Sequence, residues 1–239
     1  MTENAQTMRK AILLALTVLV LNSCDKNENM NAEKIEGEAV NIDFKDFELT
    51  RSFFDAEKMY NADSNWLILN SGEKTDYFNE PDGKTKYANG QLLLKEIDNT
   101  QPFTFSIKVE PAHQDVYDAG TLFIYEDNDH WQKFAFEVDE QKNKRIVTVR
   151  TIETSDDNNH EIINQPYVYM KISSDSEKIG FYYSLDNITW SLVRLYANDF
   201  KDTVLLGIGS QSPIGKGIKV KFTDPVFTLN PITNFRAGI

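Results

Sequence analysis

The chain has 239 residues, 37 acidic against 25 basic side chains, a formal net charge of −12 and one cysteine. An acidic surface excludes electrostatic binding of nucleic acid and a polybasic membrane-surface site, because phosphates need a basic patch. One cysteine excludes an intrachain disulfide, and no His/Cys cluster has zinc-ligand spacing, so stability rests on the core that a chain of this length can bury.

The N-terminus carries an address. Met8-Arg9-Lys10 precedes the apolar stretch Ala11 to Leu21, and Leu21-Asn22-Ser23-Cys24 closes it. Residues 11–21 are too few to span a bilayer, which takes about 20 apolar residues. A basic start, a short apolar core and small residues before a cleavage point make a secretory signal. With a cysteine at that point, the segment resembles a bacterial lipoprotein signal peptide. The resemblance implies removal of residues 1–23 and acylation of Cys24, with the protein lipid-anchored in the cell envelope, periplasmic or surface-exposed. Asn22 departs from the small or β-branched residue usual at its position. Residues 24–39 are polar and poor in core formers, and read as a flexible tether.

From Val40 onward the dominant period is two. Phe103, Phe105, Ile107 and Val109 alternate with polar residues, as do Val147 and Val149, then Ile179, Phe181 and Tyr183, then Ile218, Val220 and Phe222. These are half-buried strands. Further strands are expected at 40–47, 66–70, 74–78, 91–96, 119–125, 131–138, 167–173, 190–196, 204–210 and 225–229. Residues 54–62 read as a short helix or loop. Glu126-Asp127-Asn128-Asp129, Asp139 to Lys144, Ser173 to Glu177 and Asp186-Asn187 fall between the runs, and such residues favour turns because their side chains bond nearby backbone. Short strands joined this way specify an all-β sandwich or barrel in one domain, 40–232, with a C-terminal tail at 233–239.

Four stretches carry a family resemblance. They are Thr75-Asp76-Tyr77-Phe78 with Ala88 to Leu94, Asp118 to Tyr125, Asp129 to Glu137, and Tyr182 to Trp190. In this order, from Leu49 to about Thr228, the chain resembles the DUF1349 family, also called the "regulation of enolase protein 1" type, of the concanavalin A-like lectin/glucanase superfamily. The resemblance implies a jelly-roll β-sandwich of two curved antiparallel sheets, related to non-catalytic domains appended to some glycosidases, and no settled activity. Where the family often has Ser-Asp-Trp-Ser, this chain has Ser155-Asp156-Asp157-Asn158, without the tryptophan.

On 131–138, Trp131, Lys133, Ala135 and Glu137 share one face, and Phe134, Phe136 and Val138 share the other. Tyr125 ends the preceding strand and Arg150 lies on the next. An aromatic platform with flanking charges suits a sugar, whose ring face stacks and whose hydroxyls need hydrogen-bond partners. The candidate groove is therefore Tyr125, Trp131, Lys133, Glu137 and Arg150. The same residues also read as a structural Lys133–Glu137 ion pair beside a packing tryptophan. Glu137-Val138-Asp139 resembles the catalytic strand of jelly-roll glucanases, but Gln141 stands where a second glutamate would complete a retaining pair. The acidic run Asp156 to Glu161 lacks EF-hand spacing and reads as a solvated loop. No metal, cofactor or catalytic residue is assigned.

The leading expectation is non-catalytic binding of a glycan by a protein held at the bilayer through acylated Cys24. An envelope interaction domain with no small-molecule site is the alternative, and it expects the groove to be filled by the protein's own side chains or by a loop. A glycoside hydrolase is the third reading, and it requires a second carboxylate converging on Glu137.

Overall fold

The computed structural model of the chain describes residues 36–45 and 47–239. Cys24, the apolar stretch before it and the tether up to residue 35 lie outside the described residues. The last tether residues are ordered into the first strand, which starts at Glu38.

Seventeen strands follow in order among the described residues: β1 Glu38–Phe44, β2 Phe47–Phe53, β3 Tyr60–Ala62, β4 Trp66–Asn70, β5 Tyr77–Asn79, β6 Lys86–Ala88, β7 Gln91–Asp98, β8 Phe103–Pro111 and β9 Ala119–Asp127, then β10 His130–Val138, β11 Lys144–Ile152, β12 Thr154–Ile162, β13 Val168–Ser174, β14 Lys178–Ser184, β15 Ser191–Ala197, β16 Thr203–Gln211 and β17 Lys219–Thr228. An eight-stranded sheet runs β1-β2-β7-β16-β9-β10-β11-β12, and a seven-stranded sheet runs β15-β14-β13-β8-β17-β4-β3. Neighbouring strands are antiparallel throughout. This is a concanavalin A-like jelly-roll sandwich.

The core follows from the pleat. Strand β8 turns Phe103, Phe105, Ile107 and Val109 inward and leaves the residues between them half-exposed. Facing strands close the interior with aromatic contacts across the sheets: Phe47 on Phe105 at 4.3 Å and Phe134 on Phe181 at 5.2 Å. The turns are built by short acidic side chains. Asp127 accepts from the backbone N–H groups of Asp129 and His130, Asp139 from that of Asn143, and Asp186 from those of Ile188 and Thr189.

Four expectations change. Residues 156–161 are not a loop but most of the edge strand β12, paired with β11 through residues such as Asp157 opposite Val149. Its polar sequence suits an edge, where charged side chains discourage pairing with other chains. Residues 54–62 split into a single turn of 3-10 helix, Ala56–Lys58, and the short strand β3. The two strands expected at 218–222 and 225–229 are one, β17, interrupted by a register shift between Thr223 and Val226 where Asp224 takes a positive φ of 56° and Pro225 has no N–H to give. Residues 233–239 are tied to the outer face of the seven-stranded sheet: Tyr182 donates to the Phe235 carbonyl at 2.7 Å and Lys171 to that of Gly238 at 2.9 Å. Gly180 is required beneath this contact, since a Cβ there would stand 2.2 Å from the Tyr182 hydroxyl.

Candidate functional site: a polar pocket beside a second core

Strand β10 is buried on both faces. Its inward side chains join the sandwich core. Its outward side chains meet a two-stranded hairpin, β5–β6, that folds over the outer face of the eight-stranded sheet. The Tyr77 ring of this hairpin packs edge-on against Phe123 at 5.1 Å, Trp131 at 5.8 Å and Tyr125 at 6.5 Å. The hairpin is pinned at both ends. Asn79 donates its backbone N–H to Ser155 Oγ at 2.8 Å and its side-chain amide to the carbonyls of Asn128 and Glu153. Thr75 and Ser212 exchange backbone bonds at 3.2 Å.

This arrangement decides where the expected groove residues lie. Trp131 has no exposed surface, and its Nε1 donates to the Asn128 carbonyl at 3.3 Å. It is a packing residue under Tyr77, not an open stacking platform. Tyr125 is equally buried, with its hydroxyl donating to Glu36 at 2.5 Å and to Asn128 Oδ1 at 3.0 Å. Burial pushes the Tyr77 and Tyr125 phenols far up. Arg150 pairs in register with Gln132, not Lys133, so its side chain leaves on the opposite face of the sheet. There it sits over Tyr196 and pairs with Asp199. Of the five residues, only Lys133 and Glu137 reach a cavity together.

That cavity, of about 270 Å³, lies beside the hairpin. Lys133 and Glu137 from β10, Val147 and Val149 from β11, Asp157 from β12 and Gln211 from β16 line it, along with Pro213. Asp76, Phe78 and Glu80 come from the hairpin segment, and Tyr117 from the β8–β9 loop. Lys133 is 3% exposed and donates to the Tyr77 carbonyl at 2.8 Å, to Gln211 Oε1 at 3.1 Å and to Asp76 Oδ1 at 3.4 Å. A buried ammonium needs such partners, since an unpaired one is costly. Glu137 is not its ion-pair partner. Glu137 meets Gln211 Nε2 at 3.5 Å, and burial pushes its carboxyl up to about 8; Lys133 opposes that shift, while Asp76, Asp157 and Asp139 add to it. Desolvation also raises the Asp157 carboxyl.

Near neutral pH the pocket therefore offers a protonated Glu137 as donor, the side-chain oxygens of Asp76, Glu80 and Asp157 as acceptors, and one ammonium already engaged. Phe78 and Tyr117 supply ring surface. Tyr117 is 37% exposed and is held at a positive φ of 67° by a backbone bond to Val138. Sequence reasoning missed both aromatics as site residues, although Phe78 closes the Thr75-Asp76-Tyr77-Phe78 motif. Asp157 was hidden by reading its segment as a loop. Among the described residues, no group of three or more His, Cys, Asp or Glu is placed to hold a metal ion.

Residues 53–230 match the family described as "Protein of unknown function (DUF1349)". The chain belongs to the DUF1349 family. The matched span includes every residue of the pocket and the hairpin beside it. Among curated proteins, "Regulation of enolase protein 1" of Saccharomyces cerevisiae (strain ATCC 204508 / S288c) is 23% identical over 185 residues, covering 77% of this chain and 92% of that protein. A solved structure of a functionally unknown protein from Saccharomyces cerevisiae superposes with a TM-score of 0.68 at 23% identity, over 76% of this chain and 96% of that one. The structure titled Bacteroides ovatus Xyloglucan PUL GH43B superposes with a TM-score of 0.58 at 12% identity, over 84% of this chain and 41% of that one. At these identities the two structures share the DUF1349 chain's sandwich fold, and a fold hosts many functions.

Proposed function

We propose that this protein is a non-catalytic carbohydrate-binding domain, held in the cell envelope by acylated Cys24, and that its site is the pocket around Lys133 and Glu137. The observation that carries the reading is the pocket's lining: donor, acceptors and two aromatic surfaces, Phe78 and Tyr117, converge on one cavity. A sugar needs this combination of ring contact and hydroxyl partners. The volume of about 270 Å³ falls just below the usual range for ligand pockets, about 300–1,000 Å³, so one ring or a chain end fits and an extended chain does not. Three carboxylates against one ammonium disfavour acidic sugars here and favour neutral ones. The structure titled Xyloglucan PUL GH43B shares the fold, and this fits the reading.

The test is a glycan array probed with the purified chain, its Tyr117→Ala variant and its Glu137→Ala variant. Binding of neutral glycans that both variants weaken supports the site; no binding, or binding unchanged in both, overturns it. The hairpin over Trp131 is the feature that an interaction domain calls for; the pocket left open beside it favours a small ligand. The anchor is tested separately, by the mass of the Cys24 peptide. A diacylated cysteine at the mature N-terminus supports it, and an unmodified, uncleaved chain refutes it.

One observation favours a hydrolase as the second reading. Asp76 and Asp157 line the same cavity as Glu137, whose carboxyl burial raises, and two acidic groups in one cleft, one of them a raised acid, are what glycoside hydrolysis uses. Release of reducing ends from a bound glycan, abolished in Glu137→Gln, establishes this activity. Binding without release supports the non-catalytic reading.

A further inference from the structure

A second depression, of about 630 Å³ and open to solvent, lies where β8 ends beside β17 and the β10–β11 turn. It is formed largely by Glu110, His113, Lys144, Pro166, Lys219 and Lys221. Strand β17 turns Val220 and Phe222 into the core, which places Lys219 and Lys221 together on the outer face. Two residues along a strand are about 7 Å apart, so the two ammonium groups are rooted at that spacing. Lys144 arrives from the start of β11, on the other sheet.

None of the three ammonium groups has a hydrogen-bond or ion-pair partner among the described residues. The three lie together in one depression of a chain with 37 acidic side chains against 25 basic ones. Several cations elsewhere find carboxylates: Lys45 with Asp224, Arg51 with Glu96, Arg145 with Asp139 and Lys216 with Glu73. Glu110 stands opposite Lys221 in the ladder, yet no ion pair closes between them. His113 adds no charge near neutral pH, because burial pulls its imidazole down to about 4. The depression is a basic island on an acidic protein, with proline walls at Pro111 and Pro166.

We infer that this groove binds a short oligosaccharide carrying repeated anionic groups, of the uronic or sulfated class. Two cations spaced along β17, with a third reaching in from β11, match a ligand whose charges repeat, rather than a single ion. The apolar proline walls suit ring faces. The chain's net charge of −12 repels a long polyanion or an anionic membrane, which favours a short ligand held within the groove. The site is independent of the Lys133–Glu137 pocket, whose excess of carboxylates selects against the same ligand.

The experiment is a calorimetric titration of the purified chain with tetragalacturonate, with mannotetraose, a single-stranded oligonucleotide and phosphatidylglycerol vesicles as the other arms. Tetragalacturonate is expected to bind and to weaken several-fold between about 50 and about 200 mM salt, as screening shortens the reach of exposed charges. The Lys219→Gln/Lys221→Gln variant, altered only at exposed positions, is expected to lose about tenfold in affinity. Glu110→Gln removes the one carboxylate of the groove and is expected to tighten binding. Tyr117→Ala is expected to leave it unchanged, which separates this site from the first pocket. The inference is overturned by no binding of tetragalacturonate, by binding insensitive to the lysine variant, or by tighter binding of the oligonucleotide or the vesicles.

Discussion

The Tyr77 ring stands edge-on over Trp131, with centroids 5.8 Å apart and planes at 82°. The contact makes a second core outside the sandwich. It seals Trp131, Phe123 and Tyr125 from solvent and sets the wall of the polar pocket beside them. Tyr77→Ala is expected to lower stability by about 3–5 kcal/mol, the range for truncating a buried aromatic. It also uncovers the indole, so Trp131 emission shifts to the red while the far-UV signal of the strands persists. Urea unfolding with fluorescence detection reads both, and an unshifted emission maximum contradicts the contact.

Lys133 holds the hairpin to the sheet through the Tyr77 carbonyl, Gln211 and Asp76. Lys133→Met keeps the stem and removes the charge. It leaves those acceptors with an unmet bond and is expected to cost about 3–5 kcal/mol, the range for breaking one partner of a buried pair. It also removes the one nearby cation that stabilises ionised Glu137. The Glu137 carboxyl is therefore expected to titrate still higher in the variant, and carbon NMR of the side-chain carboxyl follows it.

Stability depends on pH through the same carboxyl. Folded Glu137 keeps its proton up to about 8, whereas its ordinary value is 4.5. The contribution is full below about 4.5 and is lost as pH rises toward 8, with a slope of at most about 1.4 kcal/mol per pH unit. His113 acts oppositely: burial lowers it from 6.5 to about 4, so its contribution is full above 6.5 and is lost as pH falls through that window. Between pH 6.5 and 8, Glu137 therefore acts without offset from His113. Urea midpoints at the two ends of that interval are expected to fall for the parent chain and to stay level for Glu137→Gln. Equal slopes in the two proteins contradict a buried, protonated Glu137.

The sandwich was legible wherever one face of a strand is buried and the other wet. Phe103 to Val109 alternates cleanly because β8 packs on the core from one side. The turns at Asp127, Asp139 and Asp186 were legible because a single carboxylate caps each. Strand β12 was not, because its residues are loop formers held extended by the ladder to β11. Tertiary pairing overrides strand propensity.

The site was half legible. Charged residues alternating with apolar ones on a buried strand marked Lys133 and Glu137. Trp131 carried the same mark, but its cover is the three-residue strand β5, too short to show a period. Arg150 was placed near the groove by sequence adjacency, and the ladder sends it to the other face. Phe78, Tyr117 and Asp157 reach the pocket from three separate segments, and no local pattern announces such convergence.

The central claim is a neutral-sugar site at the Lys133–Glu137 pocket, and Tyr117 tests it most directly because its ring is 37% exposed and carries little of the fold. The measurement is the affinity of the parent chain and of Tyr117→Ala for the best neutral glycan on the array, taken beside their urea midpoints. The account predicts about a tenfold loss of affinity, equivalent to about 1.4 kcal/mol, with the midpoint unchanged. Equal affinities for the two proteins, or preference of the parent chain's pocket for acidic over neutral glycans, would contradict it.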